Sequence, residues 1–202
     1  MIQPQTDFRA SSVAPPRLIV QPLTAGRWPD LEALFGLRGA CGGCWCMYWR
    51  LGRSQFERQK GEPNKYAMRQ LVEAGDSPGL LGYIEGRPVA WCSVGPREAF
   101  PRLDSSRILS PVDDRRVWSI PCLFVAKPFR RRGVTVELLE AAIRHVAARG
   151  GKMVEGYPIE PDNEHMPDVF AWTGLASAFL KAGFRECARR SDKRPIMRYE
   201  IE

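Results

Sequence analysis

No apolar run in this chain approaches the roughly 18 residues that a membrane-spanning helix needs. The first stretch, MIQPQTDFRASSVAPPR, lacks the apolar centre of a signal peptide. Cytoplasm is therefore the expected location, with no membrane partner. Neither Gly-x-x-x-x-Gly-Lys-Ser/Thr nor Gly-x-Gly-x-x-Gly occurs, which excludes a P-loop and a dinucleotide-binding turn. No internal repeat is visible. Histidine is scarce, with only two, His145 and His165. The six cysteines lack a second paired half of the kind zinc ribbons use. In a chain of 202 residues, 44% hydrophobic, disulfides are not needed to complete a core, so reduced thiols are expected.

Charge is unbalanced towards base, 30 Lys and Arg against 23 Asp and Glu, for a net +7. No aromatic-plus-basic platform or reading helix accompanies it, so nucleic acid is not the expected partner. Many of the basic residues gather near Arg130 and between Arg185 and Arg198. An acidic small molecule accounts for part of that excess.

The chain is organised around Val117–Gly150. Val117 to Ala126 is apolar, β-branched and aromatic, the pattern of a buried strand. After Lys127-Pro128, residues Val134, Leu138, Leu139, Ala142, Ile143 and Val146 repeat at helical period. Glu137 and Glu140 lie early in that helix and Arg144 and Arg149 late, as its dipole prefers. Between strand and helix stands Pro-Phe-Arg130-Arg131-Arg132-Gly133-Val134-Thr135. A helix start presents unpaired N–H groups and partial positive charge. Gly133 lets a ligand approach the backbone, and three arginines supply forked donors. The combination reads as a phosphate-binding turn, the alternative being a solvated run of surface charge.

Around that unit, residues 1–16 read as a flexible tail and 17–202 as one domain. Arg17–Leu23 is a first strand and Thr24 caps a helix to about Gly36. Pro63–Gly75 is a second helix. Leu80–Ile84 and Pro88–Val94 flank a Glu85-Gly86 hairpin turn. A polar connection covers Pro96–Arg116. Lys152–Tyr157 is a strand parallel to the first of the organising unit. Val169–Ala182 reads as helix, and Phe184–Arg190 with Pro195–Ile201 as a closing hairpin. The sum is a mixed α/β sheet.

Arg130-x-x-Gly133-x-Thr135, following a hydrophobic strand and opening a helix, resembles the Arg/Gln-x-x-Gly-x-Gly/Ala turn of the GNAT superfamily of acetyl-CoA-dependent N-acetyltransferases. The order of elements over 17–202 is similar too, and CGGCWCMYWR, GLLGYIEGRPVAWCSVGPR and RPIMRYE look like a bacterial GNAT subgroup. The resemblance implies a single-domain, mostly antiparallel mixed sheet with helices on both faces. It implies acetyl-CoA as co-substrate, with Leu123, Phe124 and Val125 along the pantetheine arm. The pyrophosphate would then lie on the turn Arg130, Arg131, Arg132, Gly133, Val134 and Thr135. An amine acceptor, direct attack without a covalent enzyme intermediate, and a monomer or homodimer follow from the same resemblance. Two positions depart from the pattern: Thr135 stands where Gly or Ala is usual, and Phe179 where many members carry Tyr.

Acetyl transfer needs an amine stripped of its proton, a donor for the developing oxyanion and a route for the departing thiolate. With Phe179 unable to donate, Tyr157 is the candidate acid. Glu155, a carboxylate in an otherwise apolar strand, is the candidate base, ahead of Asp113, Asp114, Glu160, Asp162 and His165. Trp45, Tyr48 and Trp49 are candidates for the acceptor wall, where aromatic rings could hold a small cationic or aromatic amine. Cys41, Cys44 and Cys46 could be soft ligands, but no metal is expected. Cys122 could carry an acetyl group, or be a small buried apolar residue. Rival readings are a catalytically weak acyl-CoA sensor and a cysteine-liganded regulatory protein.

Overall fold

A computed structural model describes residues 17–161 and 168–202. The tail at 1–16 and the candidates Asp162 and His165 lie outside the described residues. Seven strands form one sheet in the order β1-β2-β3-β4-β5-β7-β6. They are β1 (Ile19–Pro22), β2 (Gly79–Ile84), β3 (Arg87–Pro96), β4 (Trp118–Val125), β5 (Met153–Gly156), β6 (Arg185–Arg189) and β7 (Pro195–Glu200). Only β4 and β5 run parallel, joined by the crossover helix α5 (Val134–Ala147). Every other neighbouring pair is antiparallel.

Residue alternation sends each strand to two cores. On one face Leu80, Ala90, Cys92, Ile120, Leu123 and Val154 pack beneath α5 and α6 (Ala176–Lys181). On the other, Leu81 and Trp91 pack beneath α1 (Trp28–Phe35) and α3 (Glu62–Glu73). A smaller cluster, with Trp49, Phe100, Leu103 and Tyr157, closes the second face beyond the end of β5. The β2–β3 turn has Glu85 at φ 50° and Gly86 at φ 74°. Two successive left-handed residues make the type I′ turn that suits the twist of a hairpin. Charged side chains on β6 (Arg185, Glu186, Arg189) occupy the far edge of the sheet and discourage further strand addition.

Three local readings change. Thr24 makes no side-chain cap; a 3-10 turn, Ala25–Arg27, precedes α1. Short helices α2 (Arg53–Arg58) and α4 (Pro101–Asp104) break segments that carry no long periodic pattern. The helix expected over Val169–Ala182 is instead a 3-10 turn, Asp168–Ala171, a non-helical stretch, and then α6. Tertiary hydrogen bonds outcompete helical ones there. Leu123 N–H donates to Trp172 O at 2.7 Å, Ile159 N–H to Gly174 O at 2.9 Å and Ala176 N–H to Ile159 O at 3.0 Å. Gly174, at φ 86°, supplies the left-handed residue that lets the chain leave the helix.

Phe179 of α6 is fully buried and fills the space over two glycines. A Cβ on Gly156 would stand 2.1 Å from its Cε1, and one on Gly174 would stand 2.7 Å from its Cε2. Gly156→Ala should therefore destabilise the fold by about 1–3 kcal/mol through overpacking, although alanine is ordinarily tolerated in a strand. Denaturant unfolding checks this; an unchanged midpoint would mean that the Phe179 ring has room to move aside.

Candidate active site

The parallel pair β4 and β5 is short. Its register covers Trp118 with Val154, Ser119 with Glu155 and Ile120 with Gly156, after which β5 ends and β4 continues to Val125. Pro158 follows two residues beyond Gly156 and has no N–H to extend the ladder. The backbone of β4 past Ile120 is thus left open on its β5 side. Ala126 N–H donates to Val89 O on β3. By the period of two, the amides of Phe124 and Cys122 face β3 as well, and those of Leu123 and Val125 face the opening. This corrects the expectation that Phe124 offers its amide to a ligand. Of the two amides on the open side, that of Leu123 is held by Trp172 O.

At the far end of β4 the chain makes a 3-10 turn, Lys127–Phe129, and enters α5 through Gly133. Arg130 Nε donates to Val125 O at 2.9 Å, tying the turn to the strand. Arg131 at φ 59° and Gly133 at φ 80° are both left-handed. A Cβ on Gly133 would meet nothing within 4 Å, so the space before the helix start is open. Arg131 and Arg132 are exposed beside it, while the Val134 side chain is buried in the core and leaves only its amide at the turn. Thr135 is half-buried in the first turn. An open glycine, first-turn amides and exposed arginines suit a diphosphate, and the open side of β4 suits an extended chain leading away from it.

Glu155 and Tyr157 come together as expected, but not in the surroundings expected of them. Both are fully buried. Glu155 Oε1 accepts from Tyr157 Oη at 2.7 Å and Arg97 Nη1 at 3.0 Å, and its Oε2 accepts from Arg198 Nε at 2.7 Å. The Tyr157 hydroxyl also receives Arg97 Nη1 at 2.8 Å and contacts Ser119 Oγ at 2.8 Å. Arg198 continues to Asp113 at 2.6 and 3.1 Å, and Arg97 to Asp104 at 2.9 Å. The sequence reading placed Glu155 among apolar neighbours; the structure surrounds it with two guanidinium groups. Burial, with the Glu155 charge second, pushes the Tyr157 hydroxyl well above its usual range. A phenol so held keeps its proton.

The aromatic candidates separate. Trp45 is core: its ring stacks on Trp28 at 6.2 Å, tilts against Phe35 at 5.7 Å and fills the space above Gly39. That corrects its assignment to an acceptor wall. Trp49 is mostly buried too, but Nε1 donates to Pro121 O on β4 at 3.1 Å, just where β4 loses its β5 partner. Tyr48 and Trp172 pack on it at 4.9 and 5.8 Å. Tyr48 and Trp49 therefore stand at the opening, joined by Trp172, which sequence periodicity had assigned to a helix.

Cys46 accepts from Trp91 Nε1 at 3.1 Å. A hydrogen bond from Cys122 is the chief influence holding Cys46 below the usual thiol value, and Cys122 is correspondingly held well above it. Cys122 keeps its proton and packs under α1, a poor setting for an acyl-accepting thiolate. Among the described residues no group of three or more His, Cys, Asp or Glu is arranged to hold a metal ion. None of their helices is long and apolar enough to cross a membrane.

The family model of the acetyltransferase (GNAT) family matches residues 45–184, and the chain belongs to that family. Transfer of an acyl group from coenzyme A is the reaction class that membership brings. No curated protein matches the chain. Among solved structures, a GNAT acetyltransferase from Listeria monocytogenes aligns with TM-score 0.57 at 10% identity, covering 91% of this chain and 95% of that one. One from Streptococcus agalactiae gives 0.54 at 14%, covering 92% and 96%. The PaiA N-acetyltransferase from Thermoplasma acidophilum, in complex with coenzyme A, gives 0.51 at 10%, covering 92% and 99%. At these identities the likeness is one of fold.

Two predictions follow from the buried network. Glu155→Gln leaves Arg97 and Arg198 without their central countercharge and should cost about 3–5 kcal/mol of stability, measured by denaturant unfolding; a loss below about 0.5 kcal/mol would place the two arginines in water. Asp113 carries a carboxyl held well below its usual range, chiefly by Arg198. Its contribution is fully present above the unfolded value near about pH 4 and is lost as pH falls through the lower folded value. Asp113→Asn should therefore lower Tm at pH 7, and its deficit should shrink as the pH drops below that point. A deficit independent of pH would show that charge is not what Asp113 supplies.

Proposed function

We propose that the protein is an N-acetyltransferase that moves an acetyl or other short acyl group from coenzyme A to a primary amine of a small molecule or peptide. The observation that carries this reading is the open side of β4, with the Leu123 and Val125 amides facing it, leading to the Gly133 start of α5. Acetyl-CoA, when bound, supplies an acyl group activated as a thioester. The amides at Gly133–Thr135 and the Arg131 and Arg132 side chains would hold its diphosphate, and Arg130 keeps the turn in register with β4. Val125 N–H would align the pantetheine arm, and Leu123 N–H would polarise the thioester carbonyl once Trp172 O gives way.

Glu155 and Tyr157 act as positioning groups in this reading. Glu155 accepts from Tyr157, Arg97 and Arg198, and Tyr157 spends its proton on Glu155. The acceptor would enter as the free amine; the C–N bond forms as the thioester C–S bond breaks, the surplus amine proton passes to water at the opening, and coenzyme A leaves as the thiolate, protonated from solvent. Direct attack in a ternary complex needs no protein nucleophile, in keeping with a protonated Cys122. A second reading, an acyl-CoA-binding module with little turnover, is favoured by one observation, the Trp172 carbonyl on the Leu123 amide.

Mass spectrometry of an amine panel incubated with acetyl-CoA separates the two readings. Acetylated product supports the enzyme; coenzyme A binding without product supports the module. Gly133→Glu should abolish coenzyme A binding in calorimetry, and Arg132→Ala should weaken it by about 1–3 kcal/mol. Unchanged affinity in Gly133→Glu would remove the turn from the site. The pH–rate profile should follow the acceptor's own amine pKa, and a profile insensitive to the acceptor would require a protein base.

A further inference from the structure

Arg194 precedes β7 and sits at the end of β5. The antiparallel register pairs Gly156 with Met197, so its continuation sets Arg194 opposite Ile159, three positions past that rung. Its Nη1 donates to Thr173 Oγ1 at 3.1 Å and, at the limit of hydrogen bonding, to Tyr157 O at 3.5 Å. Thr173 is itself buried and adjoins Trp172, whose ring meets Tyr48 at 5.1 Å and whose carbonyl holds Leu123. The guanidinium thus lies at the opening between β4 and β5.

Its bonding is one-sided. Both hydrogen bonds use Nη1, so the Nε–Nη2 edge makes no bond to a described residue. That edge carries two parallel N–H groups, the fork that fits a carboxylate. No carboxylate among the described residues pairs with it, whereas Arg97 and Arg198 each hold two. Burial lowers the Arg194 pKa from the usual guanidinium value. Half-buried positive charge without a partner is costly and is relieved by an anion.

Arg102 adds a second cation. Its guanidinium lies 3.7 Å from the centre of the Tyr48 ring, and it forms no ion pair among the described residues. A ring face already covered by a guanidinium has little to offer an ammonium group. The small cationic acceptor expected from the aromatic residues alone is therefore disfavoured at Tyr48.

We propose that Arg194, with Arg102 on the face of Tyr48, binds a carboxylate of the acceptor, so that the substrate is an amine that also carries a carboxylate, an amino acid or a close analogue. The assignment rests on the N-acetyltransferase reading above and narrows it. The carboxylate takes the Nε–Nη2 fork of Arg194, Tyr48 and Trp172 flank the remainder, and the amine is left facing the open side of β4.

The experiment sets the L-amino acids against their decarboxylated amines, phenylalanine with 2-phenylethylamine and so on through the series, using the wild-type protein loaded with coenzyme A. Calorimetry reads binding, and mass spectrometry with acetyl-CoA reads transfer. At least one amino acid should bind, and react, on the order of tenfold or more better than its amine. In Arg194→Gln that ratio should collapse towards one, with Arg194→Lys between, because lysine keeps the charge without the fork. Should Arg194→Gln fail to fold, Arg102→Gln, on a half-exposed side chain, should still reduce the ratio. Amines that are acetylated equally well with or without the carboxylate would overturn the carboxylate site and leave the acetyltransferase standing. If coenzyme A does not bind, the acetyltransferase reading falls. The same paired titrations without it then decide the carboxylate site: a preference for the amino acid that Arg194→Gln removes supports it, and no preference overturns it.

Discussion

Three shared rungs between β4 and β5 are the constraint from which the site follows. A parallel pair continued to Val125 would satisfy the Leu123 and Val125 amides internally and leave nothing to offer a ligand. Because β5 stops at Gly156 and Pro158 removes a donor, the amides on one side of β4 have no strand to bond. The chain answers part of that demand itself, through Trp172 O. At the end of the same strand stands the Gly133 turn, so that the helix start and the open backbone follow one another along the chain.

Such an opening must be held in place, and the Arg97–Glu155–Arg198 cluster does so. Glu155 stands on the middle shared rung, opposite Ser119, and Tyr157 bonds to both. Buried ions are expensive unless every lone pair and proton is engaged, and here the carboxylate has three donors. Arg198 carries the cluster to β7 and on to Asp113, and Arg97 carries it to Asp104 and the carbonyl of Leu109. The same contacts hold the Glu155 carboxylate and the Tyr157 hydroxyl in fixed positions.

The Gly133 turn was legible because its signals are local: an apolar strand, a glycine, basic residues and an amphipathic helix all lie within one stretch. The β2–β3 hairpin was legible for the same reason. What misled were residues whose neighbours lie far along the chain. Trp45 and Trp49 are four positions apart and equally aromatic, yet one stacks on Trp28 in the core and the other bonds to Pro121 at the opening. Glu155 looked isolated because Arg97 lies 58 positions before it and Arg198 lies 43 after it. The break before α6 rests on hydrogen bonds to Leu123 and Ile159, which helical period cannot foresee.

By itself the sequence determined the strands, their order along the chain and the strand–turn–helix unit with its basic glycine turn, because propensity, periodicity and glycine geometry act over a few neighbouring residues. Which amides of β4 stay open, which aromatic residues are core, and where Arg194 points were decided only by the tertiary structure. Each depends on strand register and on hydrogen bonds between segments tens of residues apart, and such pairings are set by the packing of the whole sheet rather than by any stretch within it.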